Sequence, residues 1–325
     1  MTKPPSNCSF GQSHYRPLLT APNTVKVATA QYPLDPVASL QEWRDKVASW
    51  VAEGADTGAK ILMFPEYASL EQAMALGREV AEDLSATLKG VAELAGERVA
   101  FHTDLAREHD VHILVGSGPV LRNDGRYCNA AQLVAPNGRV GEQTKVIMTP
   151  FEHDWGLKGD RRGQLKVFDT ELGRIGIAIC YDSEFPLQVR SLAAAGIEVL
   201  LVPSCTELVS GYHRVRTGAR ARALENQIAC MTSPTIGNAT WSPAVDHNVG
   251  AAGVFVPPEH GVSDDGVLVE GQLNQPGWVF ARIDFAALRA LRSGGEMRNF
   301  LDWDLQCGAD QLNAEAAVEI IDMKG

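Results

Sequence analysis

The feature that most constrains the fold is a set of short apolar runs bounded by turn signals. Ile61–Phe64, for example, is preceded by a glycine-bounded segment at 54–58 and followed by Pro65-Glu66. A run this short between turn signals is typical of a strand that is covered on both faces. The chain therefore needs a sheet with other layers packed against it.

Helical stretches separate the apolar runs. After Asp35-Pro36, apolar residues recur at steps of three and four, which predicts an amphipathic helix that opens there. These residues are Leu40, Trp43, Val47 and Val51. Residues 69–110 are rich in Ala, Leu and Glu and are also helical in character. Strands that alternate with helices predict an α/β protein.

Antiparallel strands are expected beside the parallel ones. Two strong turn sequences, Asn123-Asp124-Gly125 and Pro136-Asn137-Gly138, flank the strand predicted at 130–135. We therefore predict a mixed sheet covered by helices, with a second sheet packed against the first. Residues 150–163 are predicted to form a polar loop, and Gly116-Ser117-Gly118 a turn.

The chain shows no linker between residues 24 and 290, which predicts one domain over that range. Residues 1–23 are rich in Pro, Ser, Asn and Thr and are predicted to form an extended N-terminal arm. Residues 291–325 have weak apolar spacing. They are predicted to form a C-terminal extension that could dock on a partner subunit.

Charge and hydropathy exclude several classes of partner. The formal net charge of −11 argues against nonspecific binding to nucleic acid or to an anionic membrane. No stretch approaches the roughly 18 consecutive apolar residues of a membrane helix. Residues 1–7 lack the apolar core of a signal peptide, so a cytoplasmic location is expected. A small-molecule substrate stays open.

Six cysteines lie at positions 8, 128, 180, 205, 230 and 307, and none forms a C-x-x-C pair. Zinc-ribbon and thioredoxin-like interpretations therefore lack their spacing. Without a secretory signal, reduced thiols are expected rather than disulfides. One of the six is then available as a nucleophile.

Three polar residues stand just beyond predicted strands. Glu66 follows Ile61–Phe64, Lys145 follows the strand predicted at 139–143, and Cys180 ends the run Ile175–Ile179. In α/β sheets, ligands bind outside the carboxyl ends of the strands. These three side chains are therefore candidates for one site.

Each candidate has a structural alternative. Cys180 precedes a predicted helix, whose free amides would favour the thiolate, but a free cysteine is more often a buried core residue. Glu66 lies in an apolar setting that would suit a general base, or it is a surface loop residue. Lys145 is catalytic or covers apolar surface with its stem. Glu152 belongs to the site or to a solvated acidic loop.

Four motifs together resemble the carbon–nitrogen hydrolase (nitrilase) superfamily. They are Phe64-Pro65-Glu66-Tyr67, Lys145 with Glu152 and Trp155-Gly156, Cys180-Tyr181-Asp182 with Phe185-Pro186, and Arg222-Ala223 with Glu225-Asn226. The order Glu, Lys, Cys is similar to that family, as are the separations of 79 and 35 positions between them. The resemblance covers about residues 24–290.

The resemblance implies a four-layer α-β-β-α sandwich that forms homodimers or higher homo-oligomers, and hydrolysis of non-peptide C–N bonds without metal or cofactor. In such a site Cys180 attacks the substrate carbon and forms a thioester, while Glu66 moves the protons. Lys145 and the backbone N–H of Tyr181 would stabilise the oxyanion. Glu152 matches the second glutamate of the family, which orients the substrate and Lys145.

Residues near these motifs would set specificity. We expect four residues to contact the substrate: Tyr67, Trp155, Tyr181 and Cys205. Cys205 follows another strand and is expected in the core or beside the site. Four arginines could bind a substrate carboxylate or form internal ion pairs, and His247 with Asp246 is similarly ambiguous. The arginines are Arg214, Arg216, Arg220 and Arg222.

The leading functional hypothesis is an amidase that acts on a small carboxamide or an N-carbamoyl compound. Cys180-Tyr181-Asp182 is the amidase-like form, whereas Trp155-Gly156 is nitrilase-like, so a nitrilase stays open, as does an acyl transferase. A non-catalytic interaction subunit is the alternative from another class. A metal hydrolase based on Glu152-His153-Asp154 is less favoured, because adjacent residues rarely converge on one ion.

Overall fold

The computed structural model describes residues 22–160, 164–307, 309 and 317–325. Most of the predicted N-terminal arm, with Cys8, lies outside these residues. In chain order the strands are β1 (Thr24–Pro33), β2 (Ile61–Met63), β3 (His112–Leu121), β4 (Tyr127–Val134), β5 (Val140–Thr144), β6 (Leu165–Thr170), β7 (Gly173–Ile177), β8 (Val199–Ser204), β9 (Ala229–Asn238), β10 (His247–Asn248), β11 (Gly253–Phe255), β12 (Val267–Glu270), β13 (Gly277–Asp284) and β14 (Val318–Asp322).

The helices lie between these strands. The α-helices are α1 (Leu40–Asp56), α2 (Gln72–Ala75), α3 (Arg78–Glu82), α4 (Leu84–Glu93), α5 (Ala95–His109), α6 (Pro150–Asp154), α7 (Pro186–Ala194), α8 (Val209–Asn226) and α9 (Phe285–Gly294). Three 3₁₀ helices span Ala68–Glu71, Cys180–Glu184 and Leu301–Leu305.

The strands form two sheets that share one junction. The first has the order β13-β1-β2-β3-β4-β5, with β1, β2 and β3 parallel and the outer strands antiparallel. The second has the order β14-β6-β7-β8-β9-β11-β12, with β7, β8 and β9 parallel. The ends of β1 and β9 pair at Tyr32 and Thr235 and join the two.

Alternation along the strands separates the layers. In the first sheet, Val27, Ile61 and Leu114 belong to a core that also contains Ile177 and Leu201 of the second sheet. Their chain neighbours Ala28, Leu62 and Ile113 belong instead to a second core, which also contains residues of α1 and α5. Because successive side chains of a strand face opposite sides, the first sheet lies between helices and the second sheet. Val189 of α7 and Val215 of α8 belong to the core that contains the strands of the second sheet.

The predicted four-layer α-β-β-α sandwich with mixed sheets is therefore confirmed. Three local predictions were wrong. The first helix begins at Leu40 rather than at Asp35-Pro36, because Ser39 Oγ caps it by accepting from Glu42 N at 3.1 Å. The segment predicted as a polar loop at 150–163 contains α6, which has proline at its first position and a Thr149–Glu152 capping box. Gly116-Ser117-Gly118 lies inside β3.

The C-terminal segment adds to the second sheet. β14 pairs in parallel with β6 of the same chain, and α9 includes residue 290. Within the described ranges, no helix is both long enough and apolar enough to cross a membrane.

Candidate active site

The ends of three strands bring the predicted site residues together. Glu66 comes three residues after β2, Lys145 directly follows β5, and Cys180 comes three residues after β7. The Nζ atom of Lys145 lies 2.8 Å from Glu66 Oε1 and 2.7 Å from Glu152 Oε2. All four side chains are buried. The expectation that these residues converge is therefore met in the structure.

A bulge in β3 holds the segment that carries Glu66. The register of β3 with β4 shifts between Leu114 and Ser117, and Glu66 makes a bridge to Ser117. Gly116 has φ +87°, and a Cβ there would lie 2.2 Å from Pro65 O. Only glycine therefore permits this approach. The Tyr67 N–H then donates to Ser117 O at 2.8 Å.

Glu66 accepts hydrogen bonds on both carboxylate oxygens. Oε1 accepts from Lys145 Nζ and from Asn129 Nδ2 at 2.9 Å, and Oε2 accepts from the backbone N of Cys205 at 3.0 Å. Burial raises the pKa of Glu66 to about 6, Lys145 opposes that rise and Glu152 adds to it. Such a carboxyl group can gain and lose a proton near neutral pH.

Lys145 is held as a cation between two carboxylates. Burial alone would lower its pKa, but Glu152 and Glu66 raise the pKa well above the usual range. Burial likewise would raise the pKa of Glu152, yet Lys145 lowers it below the usual range. Glu152 is thus ionised at neutral pH.

Helix α6 positions Glu152. Its Oε2 accepts from Thr149 N at 2.9 Å and from Thr149 Oγ1 at 3.0 Å, while Oε1 accepts from the Tyr67 hydroxyl at 2.6 Å. The Tyr67 ring lies 5.7 Å from the Trp155 ring, centroid to centroid. Tyr67 therefore belongs to the network around Glu152, with Trp155 beside it.

Cys180 occupies a strained backbone position. Its φ is +48°, in the left-handed region that a residue with a Cβ rarely adopts. Its Sγ donates to Cys205 O at 3.7 Å. Burial raises the pKa of the thiol well above its usual range, the Glu66 carboxylate raises it further and Lys145 opposes this. The expectation that helix amides favour the thiolate was wrong, because burial beside Glu66 keeps the proton on sulfur.

The backbone of Cys205 contacts both Cys180 and Glu66. Its N–H donates to Glu66 and its carbonyl accepts from Cys180. The Cys205 thiol instead donates to Asn248 Oδ1 at 3.3 Å.

Tyr181 lies next to Cys180, and its ring packs edge-on against Phe185, with 4.9 Å between the ring centroids. Its side chain is therefore turned toward that phenylalanine.

The carbon-nitrogen hydrolase family profile matches residues 26–262. The chain belongs to this family. Probable hydrolase YhcX from Bacillus subtilis is 33% identical to this chain over 280 residues, which are 86% of this chain and 53% of that protein. Nitrilase 3 from Arabidopsis thaliana is 31% identical over 173 residues, which are 49% of this chain and 48% of that protein.

The chain spans about half the length of those two curated relatives. Among solved structures, a mutant of the Nesterenkonia AN1 amidase from the nitrilase superfamily has a TM-score of 0.63 and 22% identity. The match covers 85% of this chain and 97% of that one. At this identity the likeness supports the fold alone.

Two residues of the candidate site, Asn129 and Asp182, were not assigned a role from the sequence. Asn129 on β4 is fully buried, and its Nδ2 contacts Glu66 Oε1 and, at 3.0 Å, Glu152 Oε1. Asp182 accepts from Val146 N at 3.0 Å and from Ile147 N at 2.9 Å, which fixes the segment after Lys145. Burial raises the pKa of Asp182 to about 6. A polar residue within an apolar strand was the signal available for Asn129.

The other candidate residues lie elsewhere or have partners. The arginines form contacts within the chain: Arg214 with Glu184, Arg216 with Glu270, Arg220 with the Asp265 carbonyl, and Arg222 with Glu225. His247 Nε2 lies 3.8 Å from Asp246 Oδ2 in an exposed pair. In the part of the chain that the structure describes, no three His, Cys, Asp or Glu side chains are grouped to hold a metal ion.

Proposed function

We propose that this carbon-nitrogen hydrolase is a cysteine-dependent amidase that converts a small carboxamide to an acid and ammonia or an amine. The observation that carries the proposal is the buried Lys145 between Glu66 and Glu152, in a network that reaches Cys180 through Glu66 and Cys205.

In the first half of the reaction, the Cys180 sulfur attacks the amide carbon and Glu66 accepts the thiol proton. A pKa of about 6 leaves Glu66 mostly ionised at neutral pH, so it can act as this base. The carbonyl oxygen becomes an oxyanion. When the tetrahedral intermediate collapses, Glu66 gives the proton to the leaving nitrogen, the C–N bond breaks, and a thioester with Cys180 remains.

Lys145 would stabilise the oxyanion. An ammonium group has three N–H donors, and its contacts with the described residues use two of them, on Glu66 and Glu152. The third donor and the backbone N–H of Tyr181 would face the oxyanion. When Glu66 accepts the proton it becomes neutral, so Lys145 then faces one carboxylate instead of two. The positive charge of Lys145 is therefore available for the oxyanion as negative charge develops on the substrate.

In the second half, Glu66 accepts a proton from water, which attacks the thioester carbon. Collapse of that intermediate breaks the C–S bond and returns the proton to the Cys180 sulfur, so acid is released and the thiol is restored. An amine in place of water would give acyl transfer. Glu152 holds Lys145 and Tyr67 in place throughout.

The charges favour an uncharged substrate. Glu66 and Glu152 together carry one more charge than Lys145 neutralises, and the four arginines of α8 each have a partner in the chain. A substrate carboxylate would therefore meet repulsion without a dedicated cation. We favour a neutral carboxamide over an N-carbamoyl amino acid.

A nitrilase is the second candidate, because Trp155-Gly156 is nitrilase-like and Trp155 lies beside Tyr67. On a nitrile, Cys180 would form a thioimidate that hydrolyses to acid and ammonia. Product formation from either substrate class would distinguish both candidates from a non-catalytic subunit.

The test is a panel of small carboxamides, N-carbamoyl amino acids and nitriles, with ammonia and acid measured by calibrated assay. We expect product from carboxamides, its loss in Cys180→Ala, and its retention in Cys230→Ala, which removes a buried thiol on β9. Added hydroxylamine would trap a thioester as hydroxamate. Product from nitriles alone would identify a nitrilase, and no product from folded protein would overturn the proposal.

We also propose a cytoplasmic homodimer. The family resemblance supports dimerisation, and exposed apolar side chains on the C-terminal extension support a role for it in subunit contact. Met297 and Leu305 are 62% and 81% exposed. Multi-angle light scattering of the full chain, compared with Leu305→Glu, tests this arrangement; a monomeric wild type would contradict it.

A further inference from the structure

Asn129 joins the two carboxylates of the site. Its Nδ2 lies 2.9 Å from Glu66 Oε1 and 3.0 Å from Glu152 Oε1. A side-chain amide nitrogen carries two N–H groups, so each carboxylate can receive one. Its backbone carbonyl accepts from Lys145 N at 2.8 Å. One residue of β4 thus contacts three members of the site.

Stability of the fold alone does not account for this asparagine. Asn129 is fully buried, and its Oδ1 has no hydrogen-bond partner within the described part of the chain. A buried acceptor without a partner is unfavourable. The two donated hydrogen bonds, by contrast, favour the ionised forms of the carboxyl groups that receive them.

We propose that Asn129 is a positioning residue that keeps Glu66 and Glu152 ionised and at a fixed separation around Lys145, ready for transfer of the Cys180 proton. The inference rests on the proposed function for the role of Glu66. The titratable groups that face Glu66 are Lys145, Glu152, Cys180 and Cys205, and the adjacent Tyr67 is bonded to Glu152. Asn129 is an uncharged side chain that donates to both carboxylates.

The test is the pH dependence of two rates in wild type, Asn129→Ala and Asn129→Asp. One is kcat/KM for a carboxamide, and the other is alkylation of Cys180 by iodoacetamide, followed by peptide mass mapping. Without the donated hydrogen bonds, we expect the acidic limb of both profiles to move upward by about one pH unit. Asn129→Asp has the same shape but adds a third carboxyl group, so its shift should be at least as large.

Asn226→Ala is the matched control. Asn226 is also fully buried and also has an Oδ1 without a partner among the described residues, but its Nδ2 donates to Arg222 O on α8. Its acidic limb should stay at the wild-type position. The alkylation profile needs no substrate, so a wild type that hydrolyses nothing would refute the proposed function and still leave this inference open to test.

Three results would overturn the inference. One is an unshifted acidic limb in folded Asn129→Ala and Asn129→Asp. Another is an equal shift in Asn226→Ala. The third is loss of folding in both Asn129 variants while Asn226→Ala folds, because that would assign Asn129 a structural role only.

Discussion

The Nζ atom of Lys145 lies 2.8 Å from Oε1 of Glu66, although the two residues are 79 positions apart. Neither charge could be buried here alone, because transfer of an unpaired charge from water is strongly unfavourable. Together with Glu152 they form a cluster that carries a net charge of −1 when both carboxylates are ionised, and the protonation of Glu66 can change near neutral pH.

Activity should depend on ionised Glu66. Because burial raises its pKa to about 6, kcat/KM should rise as the pH increases through about 6 and then level off. An ordinary glutamate would titrate nearer to 4.5. Glu66→Gln should abolish turnover, while Glu142→Gln, which alters an ion pair with Arg122 outside the site, should keep the profile. A midpoint below pH 5 in the wild type would contradict this prediction.

Lys145→Ala should impair both catalysis and stability. Loss of an oxyanion donor lowers kcat by about 10²–10³-fold. Removal of one partner of a buried ion pair costs about 3–5 kcal/mol in the free energy of unfolding. The control Lys60→Ala breaks an exposed pair with Asp110 and should cost about 0–1 kcal/mol. Urea unfolding and steady-state kinetics measure the two effects, and unchanged kcat would remove the oxyanion role.

Asp182→Asn should lower stability by about 1–3 kcal/mol, because an amide has one acceptor oxygen for the N–H groups of Val146 and Ile147. Since these residues directly follow Lys145, kcat should fall as well. Asp246→Asn changes an exposed aspartate and should alter the free energy of unfolding by less than about 0.5 kcal/mol. Equal unfolding midpoints for Asp182→Asn and wild type would refute the positioning of this segment by Asp182.

The enzyme should prefer uncharged amides. Butanamide and succinamate have similar length, but only succinamate carries a carboxylate. We expect kcat/KM to be about tenfold higher or more for butanamide, because the excess carboxylate of the site repels a second anion. A preference for succinamate would mean that an arginine such as Arg214 leaves Glu184 to bind it.

The sequence could predict residues that follow strands, because strand ends converge at one edge of a sheet. Glu66 and Lys145 follow strands of the first sheet and Cys180 follows β7 of the second, so their meeting depends also on the packing of the two sheets. Asn129 stands inside β4 instead. Its side chain reaches the site only because β4 pairs with β5, whose end carries Lys145. That pairing is a long-range property with no local signal.

Two further features also depend on tertiary packing. β14 forms because residues 318–322 reach the edge of β6, which a weak apolar pattern does not indicate. The direction of the Cys180 pKa shift depends on burial and on the nearby Glu66 carboxylate, which outweigh helix amides. Local sequence indicated a helix start but not those surroundings.

The most direct test of Cys180 as the nucleophile is rapid acid quench of the wild-type protein during turnover of a carboxamide, followed by intact-mass and peptide-mass analysis. We expect an acyl adduct on Cys180 whose mass is that of the substrate without the leaving nitrogen group, and no adduct in Cys180→Ala. Turnover without an adduct on Cys180, or with the acyl group on Cys205, would contradict the assignment of the nucleophile.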